Sequence, residues 1–168
     1  MNKILIIGNS GSGKSWLAAN LSKQLQIHEI NLDSVVWQPG GFNQKRPQQE
    51  IDKQLSQLGL QPSWVVEGVF GALAEKLIDT ADTLLFLDMD WPLCERSLLL
   101  RGSQSAKQLD KAMAEIKFQE LLHWASDYYQ RESKSSRYYH SLLFDGFKGN
   151  KTRLTSREQV NLFVNAML

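Results

Sequence analysis

At 168 residues, with 42% hydrophobic and 22% charged side chains, the chain has the size and composition of one ordinary globular unit with room for a substantial core. A formal net charge of +1 provides no field that would argue for nucleic acid or an anionic membrane as a partner. The one cysteine, Cys94, excludes an internal disulfide and suits a reducing compartment, so a cytoplasmic location is expected.

In chain order, residues 4–7 form a wholly apolar run, the pattern of a central parallel strand. The run is too short for the core of a signal peptide, and no window approaches the roughly 18–20 apolar residues of a membrane span. A glycine-rich loop follows, then a helix over 14–25 with Trp16, Leu17, Ala18, Leu21 and Leu25 on its apolar side. Residues 27–32 alternate as a second strand that ends at Asp33. The mixed segment 34–62 is broken by PGGF and carries a polar helix over 47–58. A third strand at 64–66 ends in Glu67-Gly68, a helix spans 71–78, and a fourth strand at 83–87 ends in Asp88. Helices are then expected over 92–100, 107–129 and 137–147, with the polar stretch 130–137 as a loop or mobile flap. Residues 151–155 are the expected fifth strand, with 141–144 as the alternative, and 156–166 form the last helix. Strands alternating with helices point to a parallel α/β sheet with right-handed crossovers.

The loop GNSGSGKS satisfies G-x-x-x-x-G-K-[ST] through Gly8, Gly13, Lys14 and Ser15. Small residues let backbone N–H groups turn inward around phosphate oxygens, and the following helix adds its positive end. The expected nucleotide-contacting set is Gly8, Ser10, Gly11, Ser12, Gly13, Lys14, Ser15 and Trp16. Lys14 reaches the β- and γ-phosphates of ATP, and the Ser15 hydroxyl ligates Mg²⁺.

In such a sheet ligands sit beyond the carboxyl ends of the strands, so Asp33, Glu67 and Asp88 all become candidates. Glu67 is expected to hold the water shell of the magnesium ion. Asp33 either does the same or accepts a proton from an acceptor hydroxyl. Asp88, in Asp-Met-Asp-Trp-Pro, reads rather as a helix cap. Trp16 and Trp64 are expected in the core. Trp37 either lies over the acceptor or anchors its loop by packing. Leu162, Phe163 and Met167 read as one buried stripe. His28, His123 and His140 show no metal-ligand spacing with Cys94, and no zinc is assigned.

On KILIIGNSGSGKS, LDSVVWQPG, WVVEG, TLLFLD and LTSREQVNLFV, the chain resembles the small adenylate-kinase-like P-loop proteins labelled topology modulation protein, or FlaR-like. The resemblance runs over nearly the whole chain. It implies an α/β P-loop NTPase fold of the nucleoside-monophosphate-kinase type, with a five-stranded parallel sheet flanked by helices and a helical lid. It implies one domain over 1–168, an acceptor-binding insertion at about 34–62 and a lid at about 101–137. The sequence departs from the family at Val69-Phe70 and at Thr155, where Arg153 and Arg157 flank the position that the family gives to arginine.

Six of the seven arginines lie at or after residue 96. By the resemblance, Arg101 and Arg137 join Lys14 and Asp33 in the catalytic set as lid cations. Phosphoryl transfer is mostly positioning and charge neutralisation. A nucleoside monophosphate acceptor calls for about two well-placed cations, yet the first 95 residues place Lys45 and Arg46 on one loop and little else nearby. A standard adenylate kinase reaction is therefore not favoured, and the acceptor, lined by Asp33, Trp37 and Arg46, is expected to be a nucleotide, a nucleoside or another small hydroxyl-bearing compound. The leading expectation is an ATP-dependent small-molecule kinase. The alternatives are a nucleotide-binding regulator or slow ATPase, and a DNA-associated factor that the near-neutral charge disfavours.

Overall fold

The computed structural model describes residues 1–39, 41–102 and 111–167, and of 41–43 the backbone alone. Residues 107–110 of one expected helix, 103–110 of the expected lid, and Gly40 of the PGGF break lie outside the described residues. Five strands, β1 (Lys3–Gly8), β2 (Glu29–Asn31), β5 (Trp64–Gly68), β6 (Thr83–Leu87) and β7 (Asn150–Leu154), form one sheet in the order β2-β5-β1-β6-β7. Every pairing within it is parallel. A separate antiparallel pair joins β3 (Trp37–Gln38) to β4 (Gly41–Lys45). The helices are α1 (Lys14–Leu25), α2 (Leu32–Val36), α3 (Gln48–Leu60), α4 (Gly71–Leu77), α5 (Trp91–Arg101), α6 (Lys111–Ser126), α7 (Arg137–Gly146) and α8 (Arg157–Asn165).

β1 is central because it is apolar on both faces. Ile4 and Ile6 meet Leu17, Leu21 and Val160 on one side, while Leu5 and Ile7 meet Ile51, Leu55 and Leu77 on the other. Alternation of side chains along the strand divides its four apolar residues between the two layers. Register then sets the site. Ile7 lies beside Gly68 and Gly8 beside Leu87, so the carboxyl ends of three adjacent strands finish at one edge. The chain winds in opposite directions on the two sides of β1, and the phosphate loop leaves the sheet at that switch point.

Several expectations need correction. The second strand is shorter than 27–32, because the Asn31 side chain accepts the Asp33 N–H at 2.7 Å and starts α2. Asp33 thus sits in the first turn of a helix and not at a strand end. Residues 141–144 belong to α7, and the fifth strand is β7. Trp16 is 48% exposed, since Leu17, Ala18 and Leu21 take the buried face of α1 and Trp16 falls about 100° outside it. Leu162 is 62% exposed for the same reason, and Val160 and Val164 carry the buried stripe of α8.

Of the polar stretch 130–137, residues 130–136 are a pinned loop and Arg137 opens α7. Arg131 donates to the Ser135 carbonyl from Nε at 2.8 Å and from Nη2 at 2.6 Å, and also to the Trp124 carbonyl. Its guanidinium stacks 4.1 Å from the Trp124 ring centroid. Ser136, fully buried, caps α7 by accepting the Tyr139 N–H.

Candidate active site

The phosphate loop is built by backbone conformations that demand glycine. Gly11 has φ +80°, and a Cβ there would lie 2.5 Å from the Cys94 carbonyl oxygen. Gly13, at φ +98°, precedes α1, and a Cβ on it would lie 1.9 Å from Nη1 of Arg157. Ser12 is buried, and its hydroxyl donates to the Asn9 carbonyl at 2.7 Å. Ser10, Gly11, Ser12 and Gly13 thus form a tight turn into the amino end of α1, where the first N–H groups have no partner within the helix.

Lys14 is 8% exposed and donates from Nζ to the Asn9 carbonyl at 2.7 Å. Burial lowers its pKa, and the carboxylates of Glu67 and Asp33 act against that loss. Glu67, at the carboxyl end of β5, is 4% exposed and accepts from the Ser15 hydroxyl at 3.0 Å. Burial raises its pKa, while Lys14 and the Ser15 hydrogen bond pull it back. Asp33 is open to solvent in the first turn of α2, yet enough protein surrounds its carboxyl to push its pKa up. The charges of Lys14 and Arg101 oppose that rise, so the exposed guanidinium at the end of α5 acts on the same carboxylate as the loop lysine.

These residues suit a hydrated magnesium ion bound with a nucleotide. Ser15 and Glu67 put a hydroxyl and a buried carboxyl side by side, and a cation there would offset the burial of Glu67. Among the described residues no three His, Cys, Asp or Glu side chains gather into a protein-only cage.

The other candidates are placed as follows. Arg137 donates to Asp88 from Nε to Oδ1 at 2.8 Å and from Nη2 to Oδ2 at 3.0 Å. Arg153 donates to the same carboxylate from Nε at 2.9 Å and from Nη2. Burial works to raise the pKa of Asp88, but the two arginines outweigh it and hold the carboxyl below its ordinary value. Asp88 is therefore an ion-pair hub, and the cap of α5 is Asp90, which accepts the Leu93 N–H at 3.2 Å. Arg46 is occupied locally. It donates from Nε to the Trp37 carbonyl at 3.2 Å and from Nη1 to Glu50 at 2.9 Å. Trp37 is half-buried at the start of the small antiparallel pair.

Sequence reasoning passed over two buried polar groups. Asn9, fully buried, donates from Nδ2 to the Ala125 carbonyl at 3.0 Å, across 116 positions of chain. His140, also fully buried, lies 2.9 Å through Nε2 from the Val69 carbonyl and 2.6 Å through Nδ1 from the Tyr128 hydroxyl. A carbonyl only accepts, so Nε2 carries the proton and Nδ1 accepts from tyrosine. Asn9 lies inside the loop motif at a position the motif leaves open, and only the contact across the fold distinguishes it.

No family model and no curated protein sequence matches the chain. Solved structures do match in fold. A gluconokinase from Sinorhizobium meliloti 1021 is 13% identical over 99% of this chain and 89% of its own, with a TM-score of 0.54. Shikimate kinase from Acinetobacter baumannii, solved in complex with shikimate, is 14% identical over 99% and 90%, with a TM-score of 0.55. The YorR protein from Bacillus subtilis, solved in complex with phosphorylated GDP, is 10% identical over 98% and 93%, with a TM-score of 0.56. Strand order, phosphate loop and these likenesses agree: the chain has the α/β P-loop fold of small kinases, a five-stranded parallel sheet flanked by helices.

Proposed function

We propose that the protein is an ATP-dependent phosphotransferase whose acceptor is a small molecule bearing a hydroxyl group. One observation carries this reading: at the phosphate loop the Ser15 hydroxyl donates to the buried Glu67 carboxylate at 3.0 Å beside the buried Lys14, with Asp33 near enough to act on both Lys14 and Glu67, and Arg101 on Lys14 and Asp33. The loop amides of residues 8–15 hold the triphosphate. Lys14 leaves the Asn9 carbonyl to meet the terminal phosphate oxygens, and Ser15 with Glu67 retains magnesium, which neutralises phosphate charge when bound. Asp33 takes the proton of the acceptor hydroxyl as that oxygen bonds to the γ-phosphorus. The bond to the bridging oxygen breaks and ADP leaves. Arg101 neutralises the moving phosphoryl group, and Arg137 joins it once released from Asp88.

The engagement of Arg46 supports a hydroxyl acceptor without a phosphate of its own. A phosphomonoester would have to compete with Glu50 for that guanidinium. The named activities of the gluconokinase and shikimate kinase support the same acceptor class, and the FlaR-like resemblance supports a kinase of loosely defined acceptor. The segment 34–62 is assigned to the acceptor and 101–137 to a lid, within a single domain. No helix among the described residues is long and apolar enough to cross a membrane. A cytoplasmic site of action with no direct nucleic-acid partner fits the charge and the single cysteine.

The test is a panel of acceptors with γ-labelled ATP and magnesium. Polyols, sugar acids and nucleosides are expected to take label faster than AMP or water. Faster labelling of AMP than of every hydroxyl compound would overturn the acceptor class. Turnover that no acceptor raises above the water background would favour a regulator or slow ATPase.

A further inference from the structure

We propose that Asn9 is a positioning residue that couples the state of the phosphate loop to helix α6. The inference rests on the nucleotide-binding reading of the loop. Asn9 is fully buried, and its two sides do different work. Its main-chain carbonyl accepts from Lys14 Nζ and from the Ser12 hydroxyl, both at 2.7 Å. Its side chain accepts the Ser10 N–H on Oδ1 at 2.8 Å and donates from Nδ2 to Ala125 at 3.0 Å. One residue therefore touches the lysine that must move and a helix far along the chain.

The far contact is placed where it matters to the helix. Ala125 is fully buried in the last turn of α6. The last four carbonyls of a helix have no partner within it. Here the Trp124 carbonyl is taken by Arg131 and the Ala125 carbonyl by Asn9. The end of α6 is thus closed on one side by its own following loop and on the other by the nucleotide site. Phosphate binding by such a loop needs inward N–H groups and the lysine, and nothing in that chemistry requires an amide at position 9.

A triphosphate in the loop draws Lys14 Nζ to phosphate oxygen. The Asn9 carbonyl then loses its charged donor, the strongest of the hydrogen bonds that hold its peptide plane. The plane can turn, and the amide carries that change to the Ala125 carbonyl. Loop occupancy is in this way felt at the end of the helix that leads into the Arg131 loop and Arg137.

The experiment is amide hydrogen exchange by mass spectrometry on peptides covering 119–131, with and without Mg²⁺ and ATPγS. Each protein is held at a nucleotide concentration that calorimetry shows to saturate it. In the wild type, nucleotide should change exchange in this segment by about threefold or more. Asn9→Asp keeps the acceptor for Ser10 and loses the donor to Ala125, so the nucleotide-dependent change should vanish. A residue that merely shaped the loop would be rescued by aspartate. Asn9→Ala, which loses both bonds, should show the same loss and serves if the aspartate variant does not fold. Wild-type protein that binds ATPγS without the change, or a variant that binds and keeps it at wild-type size, overturns the proposal. Absence of ATPγS binding to the wild type would instead overturn the nucleotide-site reading itself.

Discussion

Asp33 combines an open position with a carboxyl that burial holds above its ordinary pKa, and the two properties make opposite demands on stability and chemistry. A carboxyl with a raised folded-state pKa binds more protons folded than unfolded, so its ionisation lowers stability as pH rises through that window. Above the window the full penalty is present. Asp33→Asn should therefore raise the thermal midpoint at pH 7, with the difference from wild type closing as pH falls below the ordinary carboxylate range. The same change removes the proposed proton acceptor, and acceptor-dependent turnover should fall by about 10²–10⁴-fold. Calorimetric melts at several pH values and labelled-ATP kinetics measure the two halves. A variant both less stable and fully active would show that Asp33 is a structural helix residue. Much of this site was legible beforehand, because Lys14 and Ser15 belong to a loop motif of fixed spacing and Asp33 and Glu67 each follow a short apolar pattern. Asn9 was not, since its informative partner lies 116 residues away and backbone carbonyls have no signature in a sequence.

At the scale of elements, Asp88 joins three of them: it follows β6, receives Arg153 from β7, and receives Arg137 from the start of α7. Its side chain is only 7% exposed, while those of the two arginines are 43% and 38% exposed. The cluster thus lies between exposed pairs, worth about 0–1 kcal/mol, and buried ones, whose breakage costs about 3–5 kcal/mol. Asp88→Asn should cost about 2 kcal/mol, read as a lower urea midpoint at unchanged slope. The lowered pKa fixes the sign with pH: the stabilisation is present above the ordinary carboxylate range and is lost as pH falls through the folded value. A midpoint that does not move would mean the pairs are surface decoration. Apolar periodicity predicted the five strands of the sheet and most helices within a few residues, because burial on one or both faces leaves a direct imprint, but it gave no sign of α2 or of the β3–β4 pair. It misplaced Trp16 and Leu162, which are large apolar residues one step outside a buried stripe. The polar stretch around Arg131 is a loop, one of its two expected forms, but that it is pinned could not be read, because three hydrogen bonds to carbonyls are invisible in a stretch of polar letters.

Across the whole molecule, His140 ties α7 to the turn after β5 and to Tyr128, which follows α6 in the chain. Burial is the main cause that lowers its pKa to about 3, against an upward pull from the hydrogen bond to the Val69 carbonyl. The unfolded chain takes up a proton on this residue near pH 6.5, and the folded chain does not. Stability is therefore full above that pH and is lost as pH falls below it. The loss at pH 5 depends only on the folded value lying lower still. At about 1.4 kcal/mol per unit over one and a half units it comes to about 2 kcal/mol, or roughly 4–8 °C in thermal midpoint. Asp33 and Glu67, with raised values, work in the opposite direction, so the wild-type curve alone does not isolate the histidine. The difference between wild type and His140→Gln does. Glutamine retains a donor for the Val69 carbonyl and does not titrate. The variant should be less stable than wild type at pH 7.5, and the gap should narrow by about 2 kcal/mol at pH 5. Parallel curves across that range would mean that His140 takes up its proton in the folded state, and that the imidazole is not the closed, neutral link the hydrogen bonds describe.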